Sequence, residues 1–349
     1  MRKETDTVNA QQRFPGQEWP RMSPGDAGFS EGKLEELRCW LYDQAQDKPF
    51  RVLVVRHGHL VAEWEKDLSS DRRRSLASAA KSVFSSILGI AQGEGRIPSV
   101  DARVIDYYPE MMDVPEGLGP KAERHAFPKD REITFRQLIS NTSGYMKPGE
   151  QPGKVFHYQT FGMNILTHAL GAIYGLYDTR NPGAEPGFGK LIDGYIKDPI
   201  GGSCSYQYMN FDHSPGARIE IFGNYCQILS NARDMARLGL LWLNWGRWGD
   251  RQIIPEAWMR EASRVAPMIV TNCPREQWSY GYGFWTNEYG LLWPDLPKET
   301  FVASGAGRNL IWMCPERDLV VVQGPGIYEK HDDELCNHVL LSVYRAIVG

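Results

Sequence analysis

The amino-acid sequence predicts an α/β fold, in which an antiparallel sheet is formed from both chain ends, flanked by the terminal helices, with an inserted all-helical lobe. Runs rich in β-branched and aromatic residues occur within 51–64 and again within 280–322, and the chain between them favours helices and loops. Residues 31–46 and 332–347 are predicted to form one helix at each end. Strands at both ends with helices between them favour a sheet built from the two termini.

The chain is long enough, at 349 residues, to bury a large core, either as one domain of two lobes or as two smaller domains. Residues 1–27 are predicted to form an irregular arm, because prolines recur through them. A single domain is expected over residues 28–349. Its α/β lobe would comprise about 28–77 and 266–349, and its helical lobe about 78–265.

The first elements after the arm are a predicted helix and a predicted hairpin. Ser30 precedes a periodic run of apolar residues, so it reads as the N-cap of the helix over 31–46. Residues 51–56 and 60–64 flank a His-Gly-His tripeptide at 57–59, a pattern typical of a β-hairpin. We expect the two histidines of this turn to be exposed at the surface rather than to bind a metal.

The middle of the chain is predicted to contain three helices and one long connection. A helix opens at the segment 78–81 and continues with an apolar stripe to residue 91. Thr134 reads as the cap of a helix over 134–140, and a longer helix is expected over 230–242. The span 181–217 is rich in Gly and Pro and is predicted to be a long connection, an element that often binds ligands. Whether it covers a pocket as a lid stays open.

The last quarter of the chain is predicted to return to strands. β-rich runs cover 280–285, 308–313 and 319–322, and residues 315–318 are predicted to form a tight turn. Aromatic residues around the first of these runs could wall a pocket for an apolar substrate: Trp278, Tyr280, Tyr282, Phe284 and Trp285.

The composition argues against several functional classes. The formal net charge of −4 gives no support for a nucleic-acid partner. No apolar run is long enough to cross a bilayer, so no membrane partner is expected. The first residues are polar and lack the apolar core of a signal peptide, from which we expect a cytoplasmic protein. The six cysteines are scattered without a Cys-x-x-Cys pair, which favours reduced thiols and no metal. No cofactor is expected.

The strongest chemical signal is the tetrad Ser78-Ala-Ala-Lys81. Side chains three residues apart share a helix face, so the ammonium of Lys81 can reach the hydroxyl of Ser78. A serine hydroxyl becomes an effective nucleophile when a neighbouring base takes its proton. The start of the helix adds N–H donors and positive potential where an oxyanion would form. By itself the tetrad is a weak signal, since the segment from Ser30 to Lys33 matches it and reads as a helix cap.

Four segments occur in an order that is shared with one family: Ser78-x-x-Lys81, Leu138-Ile-Ser-Asn-Thr-Ser-Gly144, Phe156-His-Tyr158 and Ser304-Gly-Ala-Gly-Arg308. Over roughly residues 20–345 the chain resembles the serine β-lactamase/penicillin-recognising superfamily, and most of all its class C-like branch. That branch includes β-lactamases, family VIII carboxylesterases and 6-aminohexanoate-dimer hydrolases. The resemblance implies a β-lactamase/transpeptidase-like fold and a serine hydrolase.

The resemblance also implies roles for individual residues. Ser78 would be the acylated nucleophile and Lys81 its proton acceptor. Tyr158 would pass the proton to the leaving group and activate water. A tyrosine with an ordinary pKa near 10 is a poor base at neutral pH, so it needs an adjacent cation, for which Lys81 is the candidate. The backbone N–H groups of Ser78 and Ala306 would form the oxyanion hole, and Gly305 would allow the strand to approach the nucleophile closely.

Two positions depart from the family pattern. Thr160 stands where the family usually has Asn, and its hydroxyl can still donate one hydrogen bond to a substrate. The family usually has a Lys or His directly before a Ser/Thr-Gly pair. In this chain the pair is Ser304-Gly305, and Ala303 stands at the position of the cation. The missing cation argues against strong β-lactamase activity, although Arg308 on the same segment could supply a charge. Thr160, Ser304, Gly305 and Arg308 are the expected substrate-binding residues.

These features predict a serine hydrolase that forms an acyl-enzyme, with small carboxylic esters as the first substrate class. An amide hydrolase, either peptidase-like or 6-aminohexanoate-dimer-like, and a weak β-lactamase are the alternatives. A catalytically silent binding module is the alternative of another class, kept open by Ala303 and Thr160. The acyl group, its acceptor and the oligomeric state stay open.

Two other hydrolase classes find little support in the sequence. A Gly-x-Ser-x-Gly match at 28–32 has the wrong context for an α/β-hydrolase elbow, because it follows the arm rather than a buried strand. No His-Glu-x-x-His segment supports a zinc hydrolase.

Overall fold

A computed structural model describes residues 14–176, 187–325 and 333–348 of the protein. The strands, in chain order, are β1 (Phe50–Arg56), β2 (His59–Lys66), β3 (Arg74–Ser75), β4 (Ser205–Met209), β5 (Tyr225–Ser230), β6 (Arg247–Trp248), β7 (Arg251–Gln252), β8 (Trp285–Thr286), β9 (Phe301–Gly305), β10 (Asn309–Cys314) and β11 (Leu319–Gln323). The helices are α1 (Glu31–Ala45), α2 (Ala80–Gly93), α3 (Phe135–Ile139), α4 (Phe161–Ile173), α5 (Phe188–Ile192), α6 (Ile219–Phe222), α7 (Ala232–Leu243), α8 (Glu256–Ala262), α9 (Pro267–Asn272) and α10 (Asp333–Ala346).

The main sheet has six strands in the order β2-β1-β11-β10-β9-β8, and its paired strands are antiparallel. The N-terminal hairpin therefore lies beside the last strand of the chain, and the predicted fold class is confirmed. Strands β1, β10 and β11 are buried along their whole length, because both faces of the sheet are covered. One face packs on the terminal helices, and the other packs on the inserted segment.

The two terminal helices, α1 and α10, pack against each other on one face of the sheet. Their apolar positions, such as Leu37, Leu41 and Val343, share a core with Val52 and Val54 of β1. Burial of this apolar area is the main stabilising contribution to the two helices. The predicted helices 31–46 and 332–347 are thus observed to within one residue at each end.

The hairpin and capping predictions are also observed. Ser30 caps α1, since its hydroxyl accepts a hydrogen bond from the N–H of Lys33 at 3.4 Å. Thr134 caps α3 in a capping box with Gln137. The side chain of His57 in the β1–β2 turn is exposed and pairs with Asp318 at 3.0 Å, whereas His59 is only partly exposed.

The inserted segment contains a small sheet in addition to its helices. Strands β3, β5 and β4 form a three-stranded sheet in that order, and β6 and β7 form a short hairpin. Strands in this segment were not predicted, because the runs at 205–209 and 225–230 are short and flanked by Gly-rich chain. The helix predicted over 230–242 correspondingly begins later, at Ala232, since Ser230 ends β5 and Asn231 is the N-cap.

Two further sequence predictions require correction. The span 181–217 is no long connection, because its described part contains α5, a helical turn over Asp193–Lys197 and β4; residues 181–186 lie outside the described chain. Its apolar residues Phe188, Ile192 and Ile196 recur at helical spacing and are buried. The run 280–285 is mostly a turn, with only Trp285 in a strand, because the left-handed Gly283 reverses the chain.

Helix α2 is the central helix of the molecule, and its residues from Ala80 to Ala91 are all buried. The indole of Trp242 on α7 donates a hydrogen bond to the Ser86 hydroxyl at 3.0 Å, which ties α7 to α2. The first turn of α2 is consequently held in a rigid, packed environment. Among the described helices, not one is long and apolar enough to cross a membrane.

Candidate active site

The segment before α2 turns sharply between β3 and the helix. Leu76 donates its N–H to the carbonyl of Ile228 at 2.9 Å, and a 3₁₀ turn over Ala77–Ala79 then leads into α2. Ala77 has a φ of +49°, the left-handed region that is unfavourable for a residue with a side chain. Such a conformation costs on the order of 1–3 kcal/mol and persists only where the surroundings hold it. Ser78 lies directly after this strained residue and is partly exposed.

The tetrad pair is in direct contact. The Lys81 Nζ donates a hydrogen bond to the Ser78 Oγ at 2.8 Å. The lysine side chain is only 1% exposed, and burial lowers the pKa of its amine to about 7. An amine with this pKa is substantially neutral at neutral pH, so it can accept a proton from the Ser78 hydroxyl.

Tyr158 lies at the same place. Burial raises the pKa of the Tyr158 phenol, while a hydrogen bond with the Ser78 side chain lowers it in part. The Lys81 Nζ lies 4.9 Å from the centre of the Tyr158 ring. A phenol with a raised pKa keeps its proton at neutral pH, so these electrostatics suit Tyr158 as a proton donor and Lys81 as the proton acceptor.

The loop that carries Tyr158 is held by Asn141, a residue to which the sequence assigned no role. The Asn141 carbonyl accepts the N–H of His157 at 2.9 Å, and its side-chain oxygen accepts the N–H of Gln159 at 3.0 Å. Both neighbours of Tyr158 are thereby fixed by one residue. Asn141 has a φ of +58°, and asparagine tolerates this left-handed conformation better than most residues. Its position within the segment 138–144 was the available signal.

Three aromatic side chains lie close to Tyr158 and to one another. The rings of Tyr280 and Trp285 lie 5.7 and 5.6 Å from the Tyr158 ring, and Phe156 contacts both. Trp285 and Phe156 are partly exposed, so two members of this group border the site. Tyr282 and Phe284, which the sequence grouped with them, are instead buried in the core.

The end of β9 lies against the turn that carries Ser78. A Cβ added to Gly305 would overlap the carbonyl oxygen of Leu76 and lie 3.0 Å from the Ala79 nitrogen, so only glycine allows this approach. Ala306 lies in the turn that follows β9, one residue beyond the end of the strand. The Asn309 side chain donates to the Ala306 carbonyl at 2.7 Å and holds that turn.

The remaining expected substrate-binding residues are all partly exposed. Ser304 is the partly exposed residue of β9 and pairs with Leu310 of β10. Arg308 is partly exposed in the turn between β9 and β10, with a left-handed φ of +59°. Thr160 is partly exposed at the start of α4, and its side chain makes no capping hydrogen bond to that helix.

The position where the family usually has a Lys or His lies in an apolar environment. Ala303 is fully buried and pairs with Ile311 on β10. Burial alone accounts for the lowered pKa of Lys81, and burial together with Ser78 accounts for the pKa of Tyr158. Among the described residues, no charged side chain is a cause of either pKa shift, so the expected action of Lys81 as a cation on the Tyr158 phenol is not observed.

Metal and disulfide chemistry find no support in the part of the chain that the structure describes. No group of three or more His, Cys, Asp or Glu side chains there is arranged to hold a metal ion. Five cysteines are shown to form no disulfide: Cys39, Cys204, Cys226, Cys273 and Cys314.

A family model described as Beta-lactamase matches residues 50–323 of the chain. Similar solved structures include a penicillin-binding protein homologue from Caulobacter crescentus, at 16% identity and a TM-score of 0.64, covering 91% of this chain and 99% of that one. A family VIII carboxylesterase matches at 16% identity and a TM-score of 0.64, and the match covers 90% of this chain and 97% of that one. A beta-lactamase from Mycobacterium bovis matches at 18% identity and a TM-score of 0.61, and the match covers 91% of this chain and 100% of that one. At identities this low, the structural likeness shows the fold alone.

Proposed function

This chain belongs to the Beta-lactamase family, and on that basis we propose that it is a serine hydrolase acting through an acyl-enzyme on Ser78. The observation that supports this most directly is the 2.8 Å contact between the Lys81 amine and the Ser78 hydroxyl. The buried amine has a pKa of about 7, so it is available as a base at the pH where most hydrolases work.

The proposed reaction begins with attack of the Ser78 oxygen on the carbonyl carbon of an ester. Lys81 takes the hydroxyl proton as the new C–O bond forms. The negative charge on the carbonyl oxygen is received by the N–H groups of Ser78 and Ala306; loss of one such donor typically costs about 10²–10³ in rate. Tyr158 donates its proton to the departing alkoxide and is reprotonated from Lys81. Water then attacks the acyl-enzyme by the reverse proton path and releases the acid.

Esters are the proposed first substrate class because the site offers little to an anionic substrate. The position where the family usually carries a Lys or His is occupied by the buried Ala303. An alcohol also leaves more easily than an amine, so an ester demands less from the proton donor. We propose that Thr160, Ser304 and Gly305 line the substrate-binding site, with Arg308 at its rim. Amide hydrolysis is the alternative that the same machinery would support with a stronger demand on Tyr158.

Two serines provide a matched test. Ser78→Ala should abolish labelling by a fluorophosphonate and turnover of p-nitrophenyl esters. Ser30→Ala removes the serine of the second Ser-x-x-Lys match, which caps α1, and should lower stability by about 0.5–2 kcal/mol while labelling persists. Running esters beside the matching anilides separates an esterase from an amidase. Absence of labelling in the folded wild-type protein over pH 6–9 would favour the silent binding module.

A further inference from the structure

We propose that Tyr225 is a positioning residue that fixes the peptide between Ala77 and Ser78, and so aims the Ser78 N–H at the developing oxyanion. This inference rests on the proposed function, because the direction of that N–H matters to turnover only if Ser78 is acylated. Neither the tetrad nor the other family segments contain Tyr225.

The contact is a single hydrogen bond between distant parts of the chain. The Tyr225 hydroxyl donates to the Ala77 carbonyl oxygen at 2.7 Å. Tyr225 is the first residue of β5 and its side chain is 4% exposed, so the bond is shielded from water. The same carbonyl oxygen also accepts the N–H of Ala80 at the start of α2.

The geometry of the peptide bond transmits this contact to the nucleophile. A trans peptide is planar, and its C=O and N–H point in opposite directions. The Ala77 oxygen and the Ser78 hydrogen belong to one such plane, so anchoring the oxygen sets the direction of the N–H. On the preceding peptide, the Ser75 hydroxyl accepts the Ala77 N–H at 2.9 Å. The left-handed Ala77 is therefore held on both sides.

A role as proton shuttle is less consistent with the contacts of Tyr225. Its ring lies 5.6 Å from the Lys81 Nζ, close to the distance of Tyr158. However, its hydroxyl is bonded to Ala77, whereas the hydroxyl of Tyr158 interacts with Ser78. Burial also raises the pKa of Tyr225 well above its ordinary value. Its proton is therefore committed to a structural bond.

The variant Tyr225→Phe tests the proposal because it deletes only the hydroxyl. The ring contacts with Phe84 and Phe211, at 5.8 and 5.7 Å, remain available to phenylalanine. We expect kcat on a p-nitrophenyl ester to fall about tenfold, with KM unchanged. A tenfold fall is the rate loss expected when the transition state loses the stabilisation of one ordinary hydrogen bond.

Tyr145→Phe is a matched control. Tyr145 is fully buried and donates its hydroxyl to the Met111 carbonyl at 2.7 Å, the same kind of bond at the same length. Both variants should lose similar stability in thermal denaturation, but only Tyr225→Phe should lose kcat. An equal fall in both variants would show that the effect is a general loss of packing, and it would overturn the proposal.

The closing measurement is the infrared carbonyl band of the acyl-enzyme, formed by rapid mixing with an ester labelled with ¹³C at the acyl carbonyl. A weaker oxyanion hole polarises the carbonyl less, so the band should move to higher wavenumber in Tyr225→Phe and stay unchanged in Tyr145→Phe. An acyl-enzyme with the same band in wild type and Tyr225→Phe would overturn this inference and leave the proposed function standing. If the wild type forms no acyl-enzyme, both fail.

Discussion

Replacing Lys81 by methionine should change how the stability of the protein depends on pH. Methionine keeps an unbranched, buried side chain and removes the amine. Burial lowers the pKa of Lys81 from 10.5 to about 7 in the folded protein. Between these two pH values the unfolded chain holds a proton that the folded protein has released. The free energy of unfolding of the wild type therefore rises with pH across this window, through the contribution of Lys81.

The size of the effect follows from the pKa shift. One pKa unit corresponds to about 1.4 kcal/mol, so the contribution of Lys81 to the free energy of unfolding changes by about 5 kcal/mol between the two pKa values. Between pH 7 and pH 9 the wild type should gain about 2 kcal/mol relative to Lys81→Met. Subtracting the variant removes the contributions of all other titrating groups that the two proteins share.

Urea denaturation at pH 7, 8 and 9 measures this difference. Lys33→Met is the matched control, since Lys33 occupies the corresponding position in the second Ser-x-x-Lys match and is exposed on α1. The free energy of unfolding of Lys33→Met should differ from that of the wild type by the same amount at every pH. Lys81→Met should also lose most turnover, and the wild-type kcat/KM should rise with pH through about 7. If the difference in unfolding free energy between the wild type and Lys81→Met stays constant from pH 7 to 9, the conclusion that the buried Lys81 amine is neutral in this range is wrong.

Three further predictions concern glycine, the missing cation and a helix cap. Gly305→Ala should lower kcat by about 10²-fold, because its Cβ would overlap the Leu76 carbonyl and displace the turn. Gly32→Ala, which has open space on α1, should retain full turnover, and a similar loss in both variants would contradict this reasoning. Nitrocefin should be hydrolysed far more slowly than short p-nitrophenyl esters because Ala303 offers no cation; comparable rates would show that the cation is dispensable. Thr134→Ala should lower thermal stability by about 1 kcal/mol by removing the α3 cap, with turnover per folded molecule unchanged.

Local patterns were sufficient for much of the fold. The apolar spacing over α1 and α10 and the β-branched runs of β1 and β11 point to the same elements that tertiary packing then buries. The failures occurred where local signals were short. Strands β4 and β5 exist because they pair with each other, and such pairing is a non-local event that a short run does not reveal.

The candidate site divides in the same way. Ser78 lies in the 3₁₀ turn that leads into α2, and Lys81 lies in the first turn of α2, so their contact follows from helical spacing. The order of the family segments added Tyr158 and the segment from Ser304 to Ala306. The roles of all these residues stay predictions, while the contacts of Lys81 and Tyr158 with Ser78, and the close approach of Gly305 to the preceding turn, are features of the structure.

The sequence by itself determined the fold class and the pairing of Ser78 with Lys81, because periodicity and helical spacing are local properties. Only the tertiary structure decided that the Lys81 amine is buried, since desolvation depends on every element that packs around α2. It alone placed Tyr225 on the carbonyl of Ala77, 148 residues away in the chain. The bond between Tyr225 and Ala77 depends on the pairing of β5 with β3, which brings the two chain segments together. Helical or strand spacing cannot predict such a contact, because it relates only residues that are close in the sequence.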